Sequence, residues 1–215
     1  MLKQSIYPKT QRLPLAPTIQ ITEKVDGSNL VLFSANGKLW VAQRNSMFKL
    51  EDIKNKTIKS DSLYRGLYQF LMDHGDDLEK DIYEGSAICG EWLGMGKLKY
   101  DNAFAPHRFL MFGKARIDDQ DSPTTLSRLV YTRDVLGYAF NEGVIPSYIG
   151  VVPLVEVAHS YEALTLPYLD ALYERYTEKV GRPVEGFVIQ YAGGILKYVR
   201  MKNGKIEPHF DRGEE

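Results

Sequence analysis

Apolar and polar residues alternate along Thr18-Ile19-Gln20-Ile21-Thr22, the two-residue period of a half-buried strand. Leu30-Val31-Leu32-Phe33 follows as a short apolar run. Asp26-Gly27 between them is a hairpin signal, because glycine accepts positive φ and aspartate satisfies turn amides. A second turn at Asn36-Gly37 leads into Leu39-Trp40-Val41-Ala42, so the pattern predicts a three-strand antiparallel meander. Upstream, prolines at 8, 14 and 17 mark residues 1–17 as an extended entry segment. Residues 48–60 carry Lys49, Lys54, Lys56 and Lys59 among few large apolar side chains, and read as an exposed loop or short helix. From Ser62, a helix cap, Leu63, Leu67, Phe70 and Leu71 recur near helical spacing.

Residues 86–93 form a mainly apolar strand with one acid, Glu91, set into it, and residues 108–112 form another. Helices are expected at about 124–136 and 160–179; Leu164, Leu169, Leu172 and Tyr173 share a face of the second, and Gly181-Arg182-Pro183 ends it. Two closing strands, 186–190 and 195–200, flank the turn Ala192-Gly193-Gly194. Strands outnumber helices and short turns join most of them. The expected fold class is α+β, mainly antiparallel sheet flanked by helices, rather than a doubly wound parallel sheet.

At 215 residues, 44% of them hydrophobic, the chain has enough apolar material for one domain with a conventional core. No apolar run approaches a membrane span, and Met1-Leu2-Lys3-Gln4 lacks the apolar stretch of a signal peptide. Cys89 is the only cysteine, which excludes an intrachain disulfide and a cysteine-cluster zinc site and fits a reducing, cytoplasmic setting. A net charge of −1 argues against a protein that coats nucleic acid with its whole surface; a local basic groove is compatible with it.

Four charges fall where strands are otherwise apolar. Glu91 sits within one strand and Glu185 opens another, while Lys197 and Arg200 lie on the last. Each has a plain account: strand-end acids facing water, or edge cations that discourage aggregation. The alternative is that they converge with Lys24, at the end of the first strand, on one site. A buried carboxylate is unfavourable by several kcal/mol unless it is paired, so such residues need partners.

The order of these motifs resembles that of the covalent nucleotidyltransferases, and most closely the ATP-dependent polynucleotide ligases of the RNA ligase 2 type. Glu23-Lys24-Val25-Asp26-Gly27-Ser28-Asn29 is similar to their first motif, whose lysine takes up AMP. Arg44 falls where these enzymes carry an arginine that contacts the ribose and the nucleic acid. Gly90-Glu91-Trp92 resembles the third motif, with an acid for the ribose hydroxyls. Phe109-Leu110-Met111-Phe112 resembles the next, with Phe112 aligned to the ring that stacks on adenine. Glu185-Gly186-Phe187-Val188 matches the fourth motif, whose glutamate helps hold the metal, and residues 196–202 look like the phosphate-gripping fifth.

The resemblance implies a single adenylyltransferase domain over residues 1–215, and an ATP-dependent RNA ligase that acts in RNA repair. Lys24, Glu185 and Lys197 are the implied catalytic residues. Glu23, Lys24, Arg44, Glu91, Phe112, Lys197 and Lys202 would bind the nucleotide; Asn29, Arg44, Lys54 and Lys56, helped by neighbouring lysines, would bind nucleic acid. The cofactors implied are ATP, held covalently as AMP on Lys24, and Mg²⁺ or Mn²⁺ at Glu185. AMP then passes to a 5′-phosphate, and a 3′-OH displaces it to seal the strand. Three departures stand out. Gly113 replaces a frequent aspartate, and either Lys197 or the Arg200/Lys202 pair is the phosphate clamp. The chain also stops about thirteen residues after Lys202, which leaves no room for a separate C-terminal domain and suggests either that this core acts on its own or that a partner presents the ends. A DNA ligase or other nick-sealing enzyme, and a non-catalytic module that binds nucleic-acid ends, are the competing readings.

Overall fold

Residues 19–24 form the strand that their alternation predicts, but its neighbours come from the far end of the chain. The computed structural model describes residues 17–100, 107–117, 133–192, 194–202 and 205–206. Strand β1 (Ile19–Lys24) lies between β8 (Leu154–Ala158) and β9 (Gly186–Tyr191), with β10 (Gly194–Val199) on the outer edge of β9. This four-stranded sheet, in the order β10-β9-β1-β8, is antiparallel throughout.

A second, six-stranded sheet contains β2 (Ser28–Ala35), β3 (Lys38–Gln43), β4 (Ser46–Lys49), β5 (Ser86–Trp92), β6 (Phe109–Arg116) and β7 (Gly150–Val151). Its order is β4-β3-β2-β5-β6-β7, and only the β6–β7 pair is parallel. The fold is α+β with mainly antiparallel sheet, as the pattern of elements predicts.

The meander is corrected at its first turn. β1 does not pair with β2; Asp26-Gly27 carries the chain from one sheet to the other. Gly27 is required for closeness, since a Cβ there would lie 2.6 Å from the Trp92 carbonyl oxygen and 2.8 Å from Glu91 Cγ. Asp26 Oδ2 accepts from the backbone amides of Lys97 and Leu98, and the Asp26 amide donates to the Tyr100 hydroxyl. The second turn is the expected hairpin: Asn36 and Gly37 both have positive φ, 54° and 67°, the pair that a type I′ turn needs. Glu84 accepts from both of their amides.

Helices cover the outer faces. On the large sheet, α1 (Leu50–Lys54) and α2 (Leu67–Asp81) pack Leu50, Ile53, Leu67, Leu71 and Leu78 against Leu30, Leu32, Val41, Ile88 and Trp92. On the small sheet, α3 (Leu166–Val180) packs Leu169, Leu172, Tyr173 and Tyr176 against Ile19, Ile21, Phe187 and Ile189. Full burial of such side chains contributes about 1.5–3 kcal/mol each. The helix expected from Ser62 starts only at Leu67, after Gly66, and runs to Asp81. Of the helix expected at 124–136, residues 124–132 lie outside the described residues, and Arg133–Ala139 forms 3₁₀ turns. Two short strands, β11 (Met201–Lys202) and β12 (Lys205–Ile206), pair with each other.

Burial pushes the Cys89 thiol up to about 12, which keeps it protonated and unreactive. Among the described residues no helix is long and apolar enough to cross a membrane.

Candidate active site

The inner faces of the two sheets enclose a cavity of about 580 Å³. From the small sheet, Thr22, Lys24, Val188, Gln190, Ile195 and Lys197 line it; from the large sheet, Asn29, Glu91 and Phe112. Strand register arranges the small-sheet residues in rows: Lys24 opposite Gly186, then Thr22 opposite Val188 with Lys197 beyond it, then Gln20 opposite Gln190 with Ile195 beyond. The two-residue strand period turns these alternate positions into one wall.

Lys24 ends β1, and its Nζ lies 2.5 Å from Glu185 Oε1, with the two side chains 27% and 17% exposed. Glu185 immediately precedes β9, where Gly186 is sterically required: a Cβ would lie 1.9 Å from the Tyr198 carbonyl oxygen. Burial raises the Glu185 carboxyl above the usual range, and the Lys24 hydrogen bond opposes the shift. Its second oxygen, Oε2, is buried and has no hydrogen-bond partner.

Glu91 pairs in register with Asn29 across β5 and β2. Burial raises its carboxyl to about 7; the nearby charge of Lys24 works against this, and those of Glu185 and Asp26 add to it. Phe112 sits at the irregularity in the β5–β6 ladder, between the register pairs of Met111 and Gly113, and packs beside Val25, Leu110 and Val152.

The structure thus brings Lys24, Asn29, Glu91, Phe112, Glu185 and Lys197 together from positions that span most of the chain. It deals differently with the other residues singled out in the sequence. The Glu23 carboxylate is fully buried; Arg182 donates to both of its oxygens at 2.7 and 2.6 Å, and the Tyr176 hydroxyl donates at 2.7 Å. Arg44 lies exposed between β3 and β4, outside the cavity lining, and its amide donates to the Tyr64 hydroxyl, which donates to the Asn29 carbonyl.

Lys54 is ion-paired to Asp76 of α2 and Lys56 follows α1, so neither lines the cavity. Of the candidates for the phosphate clamp, Lys197 lies on the cavity wall. Arg200 turns to α3, where it donates to Asp170 Oδ1 at 2.7 Å and lies 3.4 Å from Glu174. The Lys202 backbone lies in β11, and its side chain is outside the described residues.

Sequence reasoning missed Arg182, Tyr100 and Gln190. Arg182 sits in what reads only as a helix terminus; it grips Glu23 and lies over the Tyr100 ring, 5.5 Å from its centroid. A glutamine on a strand carries no signal until its neighbours across the sheet are known.

Oxygen donors suit a hard cation such as Mg²⁺, which binds through one or two carboxylates and completes its shell with phosphate and water. The unsatisfied Glu185 Oε2 fits that use. No cluster of three or more acidic, histidine or cysteine ligands occurs among the described residues.

Two solved structures titled archaeal ATP-dependent RNA ligase, form 1 and form 2, are similar to this chain, each 18% identical, with TM-scores of 0.49 and 0.47. The matches cover 90% and 85% of this chain and 48% and 42% of those chains, so this chain spans less than half their length. No curated protein matches it. A family model for RNA ligase matches residues 17–202, and the chain belongs to the RNA ligase family.

Proposed function

We propose that this protein is an ATP-dependent RNA ligase of the RNA ligase 2 type, with Lys24 as the residue that carries AMP. The observation that carries the reading is the Lys24–Glu185 pair, 2.5 Å apart, in a cavity that also gathers Glu91, Phe112 and Lys197. A lysine amine attacks phosphorus through its lone pair, so a proton must first leave Nζ, and Glu185 Oε1, which already accepts from it at 2.5 Å, takes that proton. Nζ then forms a bond to the α-phosphorus of ATP as the bond to the bridging β-phosphate oxygen breaks, and pyrophosphate departs.

Lys197, on the row next to Lys24, holds the phosphates during that displacement. Glu91 accepts from the ribose hydroxyls, and Phe112 faces Val188 across the cavity to sandwich the base. Glu185 Oε2 would hold the metal, and Mg²⁺ or Mn²⁺ bound there would lower the charge on the α-phosphate.

AMP next passes from Lys24 to a 5′-phosphate at an RNA end, and the adjoining 3′-OH displaces AMP to form the phosphodiester. Asn29, on the rim, orients those ends, and Arg44 lies one tyrosine hydroxyl away from it.

Lys24→Ala tests the assignment: with ATP radiolabelled at its α-phosphate, wild type should become labelled and the variant should not. Label persisting on the variant overturns the role of Lys24. Sealing assays on nicked RNA, nicked DNA, hybrid duplexes and single strands then test the substrate. Preference for nicked DNA would make the protein a DNA ligase. Binding of ends without any adduct would make it an end-binding module.

A further inference from the structure

Beyond the reacting end, one amide on the cavity wall and its register neighbour on β1 each bury a polar atom that has no hydrogen-bond partner. Gln190 lines the cavity, and Gln20 is its register partner on β1. Gln190 Nε2 and Gln20 Oε1 are both buried, and neither makes a hydrogen bond. Nearly all buried polar atoms in folded proteins are bonded, so an orphaned donor beside an orphaned acceptor needs an explanation. The row they occupy reads Val157, Gln20, Gln190, Ile195 across the four strands. Its two ends are apolar and 41% and 46% exposed.

The row also has the right place. Gln20 is four residues from Lys24 along one strand, roughly 13 Å at the usual rise. Between them lies the row of Thr22 and Val188, with Phe112 on the opposite wall. A nucleotide whose phosphate meets Lys24 and whose base lies over Val188 therefore directs the edge of that base toward the amides.

We propose that Gln190, together with Gln20, reads the edge of the adenine base and so sets the preference for ATP. This rests on the proposed transfer of AMP to Lys24. Adenine presents a donor, its exocyclic amine, next to a ring-nitrogen acceptor, the complement of one free acceptor and one free donor. Guanine presents a carbonyl oxygen in place of the amine. That oxygen opposes Gln20 Oε1, and leaves like facing like in a buried site. A site that hydrogen-bonds a substrate group discriminates against analogues that lack it, because its own buried groups then go unpaired. The competing account is that the two amides bond to each other, and it makes nucleotide choice indifferent to both.

The test uses the full chain with Mg²⁺ and follows adduct formation by intact mass with ATP, GTP and purine riboside triphosphate, which lacks the amine. Wild type should prefer ATP over each by about 10- to 100-fold. Gln190→Leu and Gln20→Leu should still form the adduct with ATP and lose most of that preference. An ATP-to-GTP ratio unchanged in Gln190→Leu overturns the proposal. So does equal use of ATP and the amine-free analogue by wild type, a measurement that needs no variant to fold. If wild type forms no adduct with any nucleotide, the reading of Lys24 falls first and this one with it. If it forms one and the ratios do not move, only the base reading falls.

Discussion

Glu23 and Glu91 are both glutamates withdrawn from water on central strands, and their surroundings are opposite. Glu23 has a fully buried carboxylate that accepts two hydrogen bonds from Arg182 and one from Tyr176. Glu91 takes part in no ion pair within hydrogen-bonding reach among the described residues and accepts only from the Gly27 backbone; burial, chiefly, pushes its carboxyl up to about 7, with the charges of Glu185 and Asp26 adding to the shift. The two lie on different sheets, yet each is one residue or one register step from the candidate chemistry: Glu23 precedes Lys24, and Glu91 faces Asn29. A buried charge whose partners come from the protein itself holds the fold in place. A buried charge left short of partners is kept for a ligand that brings them.

Breaking the matched side should have the largest effect. Arg182→Met strands the Glu23 carboxylate in the core and should destabilise the protein by about 3–5 kcal/mol in urea unfolding. Replacing Glu23 and Arg182 together by apolar residues should recover much of that loss; if it does not, the pairing is not what the single variant removed.

The unmatched side predicts the opposite sign. The folded-state carboxyl of Glu91 titrates near 7 instead of its ordinary 4.5, so the folded protein holds this proton more tightly than the unfolded chain. Stability from this group is therefore fully present below pH 4.5 and lost as pH rises through 7, by on the order of 3 kcal/mol. Glu91→Gln should match wild type near pH 4.5 and exceed it at pH 8, while its adduct formation falls. Equal denaturant midpoints at pH 8 would remove Glu91 from the unmatched class.

Tyr176→Phe sharpens the comparison at its smallest scale. It removes one of three hydrogen bonds to Glu23 and leaves Arg182 in place, for a loss of about 1–2 kcal/mol at unchanged nucleotide preference.

Much of the site was legible because its residues belong to local motifs with fixed neighbours. Glu185-Gly186 and Gly90-Glu91 each lie within a short run whose strand pattern is plain, and both strands form where the pattern puts them. The hairpin at Asn36-Gly37 was legible for the same reason, since its turn geometry is set by two residues. Asp26-Gly27 has the same signature and a different outcome. The alternation of residues 18–22 says that β1 is half buried, but says nothing about pairing with β9, more than 160 residues away. Gly27 is there because β5 runs too close for a Cβ, a reason that exists only in three dimensions.

The periodicity from Ser62 reaches only Leu71, whereas α2 runs on to Asp81 through Gly75, where a Cβ would come within 2.7 Å of Leu50. Glu23 lies on the cavity lining, as its motif neighbours suggest, but only the fold reveals Arg182 and Tyr176 on its carboxylate oxygens.

The Asp26-Gly27 link also places the chemistry at a crossing between the two sheets. The amine of Lys24 stands beside the one short span by which β1 passes to β2, much as a blade root stands beside the rivet of a pair of shears. A second crossing, Val152-Pro153 between β7 and β8, lies beside the first, for the Pro153 carbonyl accepts from the Glu23 amide and Val152 packs with Val25. Lys24 is thus anchored where the two sheets are tied together twice, while Ile195 stands on the outermost strand of the smaller one.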